Sequence, residues 1–187
     1  TLTFGANGSF LASNTVGRVA ATVTNIGTIQ VVNSMMTFVS NVVIQGSYRS
    51  DPSTNIFLAD VTISESGSLA GGAGDLFDFR KNLLIHSTNN AVFNLAESGV
   101  LFSGGGMHTN AITGQNLGTN LLAYAIAFEQ QTNFAYGELH IGSAADQICF
   151  NCGNLPAIPS NGLYIGWLDL LGNTSLVTNL HAASTIT

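Results

Sequence analysis

Along the first half of the chain, apolar and polar positions alternate over short runs that Asn, Gly or Ser close. Thr22-Val23-Thr24, Ile29-Gln30-Val31-Val32, Val42-Val43-Ile44 and Val61-Thr62-Ile63 are such runs. Side chains of a strand point alternately to its two faces, and β-branched residues fit that pleat, so each run predicts a short strand. Helical periodicity is nearly absent. The one segment with helical character is Leu121 to Phe128, and Gly118 before it with Asn133 after it limit it to about two turns. The chain reads as all-β.

The runs also repeat. A glycine followed two residues later by a large apolar residue occurs at Gly8-Ser9-Phe10, Gly27-Thr28-Ile29, Gly46-Ser47-Tyr48 and Gly67-Ser68-Leu69, with glycines 19, 19 and 21 residues apart. The phrase returns at Gly99-Val100-Leu101, Gly137-Glu138-Leu139 and Gly162-Leu163-Tyr164, at spacings of 32, 38 and 25. A period near 20 residues fits one coil of a β-solenoid. The predicted architecture is a right-handed parallel β-helix forming a single domain over residues 1–187. Regular coils run to about residue 80, and coils with insertions follow from about 81. Gln115 to Asn133 and Asp146 to Ser160 are the candidate insertions. Each corner glycine is expected in the left-handed conformation, with the apolar residue two positions on pointing inward. A β-sandwich is the alternative, because Asn7-Gly8 and Asn161-Gly162 also suit two-residue hairpin turns. The solenoid accounts better for the surface, since Asn, Ser and Thr can stack in ladders on successive coils and satisfy one another without charge.

Composition narrows the function. Of 187 residues 45% are hydrophobic and only 7% charged, with a net charge of −6. Four Lys and Arg residues are too few to neutralise a phosphate backbone or coat an anionic membrane, so nucleic acid is not an expected partner. The longest apolar run, Leu121 to Phe128, falls far short of the roughly 20 residues that span a bilayer, so membrane insertion is not expected either. A lysine-poor surface rich in Thr, Asn and Gly points to an extracellular or cell-surface setting, reached after removal of an export signal. There, Cys149 and Cys152 are expected to form a local structural disulfide worth only about 2 kcal/mol for so small a loop. Free thiols and a metal or redox pair are the other readings.

Candidate chemistry is sparse. Asp75 and Asp78 are the nearest pair of acids, but an offset of three puts them on opposite faces of a strand. Arg80 and Lys81 are the only cationic cluster and, with Asp78, read as solvated turn residues. His86, His108, His140 and His181 show no metal-binding spacing, although His86 and His108 are close enough to one period apart to lie on neighbouring coils. Gly71-Gly72-Ala73-Gly74-Asp75 approaches a calcium-binding turn but carries its aspartate one position early, and Ser103-Gly104-Gly105-Gly106 reads as another glycine-rich turn. No cofactor is implied. Phe128, Phe134, Tyr136, Tyr164 and Trp167 gather near the insertions. Most belong to a core, with Tyr136 and Trp167 as candidates for stacking on a sugar.

Aligned on the glycines, Thr24-Asn25-Ile26-Gly27-Thr28-Ile29, Gly72-Ala73-Gly74-Asp75-Leu76-Phe77, Asn133-Phe134-Ala135-Tyr136-Gly137-Glu138-Leu139 and Gly162-Leu163-Tyr164-Ile165-Gly166-Trp167-Leu168-Asp169-Leu170 resemble the β-strand-repeat extracellular proteins of Gram-negative bacteria, many of which carry a PEP-CTERM sorting tail. The resemblance spans roughly residues 20 to 181 and implies export, a right-handed β-helix and residence in an exopolysaccharide matrix. It assigns no catalytic or binding residue. The Pro-Glu-Pro signal, apolar helix and basic tail of that group are missing here, which fits processing or another route to the surface.

Neither residues 1 to 20 nor Ala182 to Thr187 read as a cap. The expected function is therefore structural: a subunit of a homopolymeric filament or matrix, assembled end to end or by strand donation. The alternative is a monomeric surface protein or adhesin that binds polysaccharide. A polysaccharide lyase or glycosidase is the third reading, and the protein is not expected to be an enzyme. Its partners are copies of itself and an exopolysaccharide.

Overall fold

A computed structural model describes residues 1–87, 93–131, 133–150, 162–170, 180–182 and 185–186. Three short strands make each of the first coils, one per face. β1 (Leu2–Phe4), β2 (Ser9–Ser13) and β3 (Val16–Val19) begin the series, and β4 (Val23–Asn25), β5 (Thr28–Val32) and β6 (Met35–Phe38) repeat it. β7 (Val42–Ile44), β8 (Ser47–Asp51) and β9 (Thr54–Phe57) make the third coil. β10 (Val61–Ile63), β11 (Ser68–Ala70) and β12 (Leu76–Phe79) make the fourth. After β13 (Leu83–Ile85), one long strand, β14 (Phe93–Phe102), serves both remaining faces. Later coils pair β15 (Gly106–Ala111) with β16 (Ala135–Ile141), β17 (Asp146–Phe150) with β18 (Gly162–Asp169), and β19 (Leu180–Ala182) with β20 (Thr185–Ile186).

The first face is an eight-stranded sheet in the order β1-β4-β7-β10-β13-β15-β17-β19. The second face runs β2-β5-β8-β11-β14 and the third β3-β6-β9-β12-β14-β16-β18; β14 joins them and β20 pairs β18, which completes one twelve-stranded sheet. Every pairing between described strands is parallel. A sandwich would need antiparallel hairpins, so the chain is a parallel β-solenoid.

Parallel stacking in exact register turns each inward position into a column. Val23, Val42, Val61 and Leu83 form one, and Ile29, Tyr48, Leu69 and Phe93 another, all essentially without solvent contact. On the third face Phe38, Phe57, Phe79 and Phe102 stack coil upon coil. Their ring centroids are 5.2, 5.3 and 5.8 Å apart, and the first two pairs lie within 11° of parallel. Each buried side chain of this size contributes about 1.5–3 kcal/mol, so the columns are the main source of stability.

Polar columns satisfy the corners. Where the second face turns into the third, Thr15 N–H donates to Ser34 Oγ (3.1 Å), Ser34 N–H to Ser53 Oγ (3.0 Å) and Ser53 N–H to Asp75 Oδ1 (2.7 Å). Beside them Asn33 Nδ2 donates to Asn14 Oδ1 at 2.6 Å, across a coil of 19 residues. Both asparagines have positive φ, 50° and 46°, a conformation Asn tolerates better than most residues. The expected uncharged ladders are thus present and cap backbone donors that the turn would leave unpaired.

The described corner glycines answer to a different constraint from the one expected. None of Gly8, Gly27, Gly46, Gly67, Gly99, Gly137 or Gly162 has positive φ. Instead Thr28 N–H donates to Gly8 O, Ser47 N–H to Gly27 O and Ser68 N–H to Gly46 O. A Cβ on Gly27 would lie 2.1 Å from Gly8 O, and one on Gly46 would lie 2.1 Å from Gly27 O. The carbonyl of the coil below occupies the side-chain position. Ile29, Tyr48 and Leu69 point inward as expected, and Phe10 is half-buried in the first coil. Two members of the series sit elsewhere. Gly99 lies within β14 opposite Leu76, so Val100 is the buried residue there and Leu101 faces outward. Gly162 packs on the insertion, donating to Gly114 O at 2.7 Å. It is Gly166 whose Cβ would strike Gly137 O, at 2.7 Å.

The insertion at Gln115–Asn133 carries the predicted helical segment. α1 (Leu121–Tyr124) is capped by Asn120 Oδ1, which accepts from Ala123 N–H at 2.9 Å, and a π-helical turn over Ala125–Glu129 continues it. Ala123, Ala127 and Phe128 lay this segment on Ala96, Ala135 and Tyr164. Among the described residues no helix is long and apolar enough to cross a membrane. Cys152 and most of the second insertion, Asp146–Ser160, lie outside the described residues.

Candidate functional site

The outward surface near the late coils holds the most chemically diverse group. β16 and β18 are neighbours in register, Glu138 opposite Trp167 and His140 opposite Asp169. All four side chains point away from the core because the intervening Leu139 points in. His140 Nδ1 lies 3.0 Å from Asp169 Oδ2 and its Nε2 2.9 Å from Glu138 Oε2. One imidazole thus bridges two carboxylates on adjacent coils. Trp167 beside them is 67% exposed, and no described strand pairs beyond it on this face.

Tyr136, the other residue expected to stack on a sugar, is fully buried. Its hydroxyl accepts from Asn110 Nδ2 at 2.7 Å, and burial pushes its pKa far above the ordinary phenol value. It sits inward on β16, opposite Leu95 and Ile165, so no glycan can reach its ring. Phe134 is equally buried and stacks on Phe93 at 4.8 Å. Tyr164 anchors the insertion, accepting from Leu117 N–H and donating to Gly118 O. Tyr124 and Phe128 form a ring pair 4.9 Å apart beside a small cleft of about 130 Å³ reaching Tyr164 and Ile165.

The two aspartates weighed for glycan cleavage serve the fold. Asp75 accepts from the N–H groups of Ser53 and Gly72 and from the Ser50 hydroxyl. Ser50 in turn accepts from Asn55, which accepts from the Tyr48 hydroxyl. Burial and the Asp75 charge both raise the Tyr48 pKa well above its usual value. Asp78, also buried, accepts from Arg80 Nε at 3.0 Å and Ser103 Oγ at 2.6 Å. The glycine-rich turn at Gly71 to Asp75 is closed by Asp75 itself, with Gly74 at φ 85°.

Sequence spacing missed a buried contact between a histidine and an aspartate. His108 and Asp146 are each 1% exposed, and His108 Nε2 lies 2.9 Å from Asp146 Oδ1. His108 Nδ1 faces Lys81 O at 3.2 Å, so this histidine stacks beside the Lys81 backbone and not on the exposed His86. Burial opposes the Asp146 charge. The Ser143 hydroxyl, His108 and the Gly105 N–H outweigh it, and the carboxyl pKa falls below the ordinary value. The pairing was legible only through register, which sets Gly106 opposite Asp146 and His108 opposite Ile148.

Cys149 is buried on β17, opposite Thr109 and His181. Among the described residues no group of three or more His, Cys, Asp or Glu is arranged to hold a metal ion. Comparison with family models, with curated proteins and with solved structures finds no match to this chain.

Proposed function

We propose that this chain is an extracellular structural subunit whose copies stack end on end, each coil of one continuing the sheets of the next. The observation that carries this reading is the first coil. β1, β2 and β3 each have a described neighbour on one side only, and the edge of a parallel strand is a template for a further strand. The inward residues of that coil are partly exposed: Leu2 is 38% exposed, and Phe4, Phe10 and Val19 are half-buried. Their successors Val23, Ile29 and Phe38 are closed off by the coil above. A further coil would extend the columns and cover them. Arg18 is the only charged side chain in residues 1–22, so little electrostatic repulsion opposes such a contact.

The lysine-poor, uncharged polar surface supports the extracellular assignment, as does the resemblance to β-strand-repeat matrix proteins. In that setting Cys149 and Cys152 close a local disulfide. The second reading, a monomeric surface protein or adhesin that binds polysaccharide, is favoured by Trp167, whose exposed ring lies beside the Glu138 and Asp169 carboxylates.

Negative-stain microscopy across a range of concentrations separates the two. Filaments are expected from the native chain, with fewer and shorter ones from Leu2→Lys, which sets a charge on the open edge. Isolated particles at every concentration would overturn the structural reading, and retention on immobilised polysaccharide lost in Trp167→Ala would then favour the adhesin.

A further inference from the structure

The outer face of the third sheet is polarised along the solenoid axis, and the insertion helix packs at its late corner, against β14, β16 and β18. At one end β3 places Val16 (81% exposed) and Arg18 outward. At the other, β18 places Trp167 (67% exposed) and Asp169 outward, with Glu138 and His140 one strand below. Between them the outward residues include Met35, Ile56, Leu76 and Leu101, the first 44% exposed and the others half-buried. Arg18 has no ion pair among the described residues, whereas the far end carries two carboxylates around one histidine.

We infer that two copies of this chain pack these faces against each other with their axes antiparallel, related by a two-fold axis that runs along β12. The register dictates the partners. Seven strands lie in the order β3-β6-β9-β12-β14-β16-β18, so β12 is central and faces itself. β3 then faces β18 of the second copy, β6 faces β16, and β9 faces β14. Arg18 of each copy meets Asp169 of the other, and Val16, the most exposed large apolar residue at one end, meets Trp167, the most exposed at the other. Ile56 meets Leu101, Leu76 meets Leu76, and Asp78 meets Asp78, each of these carboxylates being already paired with Arg80 of its own copy. With the axes parallel instead, both arginines would gather at one end and all four carboxylates at the other, which like-charge repulsion disfavours. The antiparallel pairing is isologous and closes at two copies. It is therefore independent of end-on stacking.

Seven strands at about 4.8 Å each and four residues of about 3.3 Å each give a face of roughly 400 Å² per copy. An interface of that size belongs to the weak, reversible class, so the dimer is expected at micromolar and higher concentrations. Leu76→Cys tests it. Under mild oxidation this variant should cross-link into a species of twice 19.4 kDa at least tenfold faster than Gln30→Cys, whose site is exposed on the second face. End-on contact leaves the two Leu76 positions a whole solenoid apart and cannot produce that product, so loss of filaments and loss of the cross-link are separate results. Sedimentation equilibrium supplies the second measurement. Arg18→Glu should weaken self-association by tenfold or more, and Arg18→Glu with Asp169→Arg should recover it. Equal cross-linking of the two cysteine variants, or an association constant that Arg18→Glu leaves unchanged, would overturn the inference.

Discussion

At Gly46 a methyl group would stand 2.1 Å from Gly27 O and 2.3 Å from Ile26 O. Backbone cannot yield there without separating two coils. Gly46→Ala is expected to cost about 3 kcal/mol, the upper range for overpacking, and to lower the midpoint of denaturant unfolding clearly. Gly72→Ala, at a site with nothing within 4 Å of its Cβ and no positive φ, should leave the midpoint unchanged or raise it slightly, by about 0.4–1 kcal/mol. Equal effects at the two sites would mean that coil contact does not set the glycine period. The period itself was legible because a carbonyl recurs at the same corner in every regular coil. Its cause was not, since a left-handed turn and a crowded corner both select glycine, and only the stacked coil distinguishes them. Tyr136 failed for a related reason. Its place near an insertion suggested exposure, but the register irregularity between the Leu95–Tyr136 and Gly99–Glu138 pairs breaks the alternation along β16, and Tyr136 turns inward to Asn110.

Among the elements, the turn between β16 and β17 has the most pronounced electrostatic character. Ser143, the Gly105 N–H and His108 converge on the Asp146 carboxylate and lower its pKa in the fold. A carboxyl depressed on folding contributes stability that is fully present above its unfolded value of about 3.9 and disappears as pH falls through the lower folded value. Thermal unfolding followed from pH 6 to pH 2 should therefore show an acid-induced fall below about pH 4 that is shallower in Asp146→Asn. An unchanged pH profile in that variant would remove Asp146 as a source of acid sensitivity. β4, β5, β7 and β10 were readable from β-branched runs, and α1 from its flanking Gly118 and Asn133. β14 was not, because a ten-residue strand that serves two faces carries the glycine phrase through a corner and breaks the count at Gly99. His108 and Asp146, 38 residues apart, meet only because an insertion separates two strands that remain neighbours.

At the scale of the whole molecule, columns of Val, Ile and Phe run parallel to the axis. Parallel sheets are ordinarily covered on both faces. Here their outer faces carry Thr, Ser, Asn, a few apolar residues and few charges. On the proposed reading, copies of the chain continue each column end on end. The most direct measurement is cryo-electron microscopy of concentrated protein. The account predicts filaments with a layer repeat of about 4.8 Å along their axis that continues unbroken through subunit boundaries. Discrete particles, or filaments whose strand repeat runs across the axis, would contradict it.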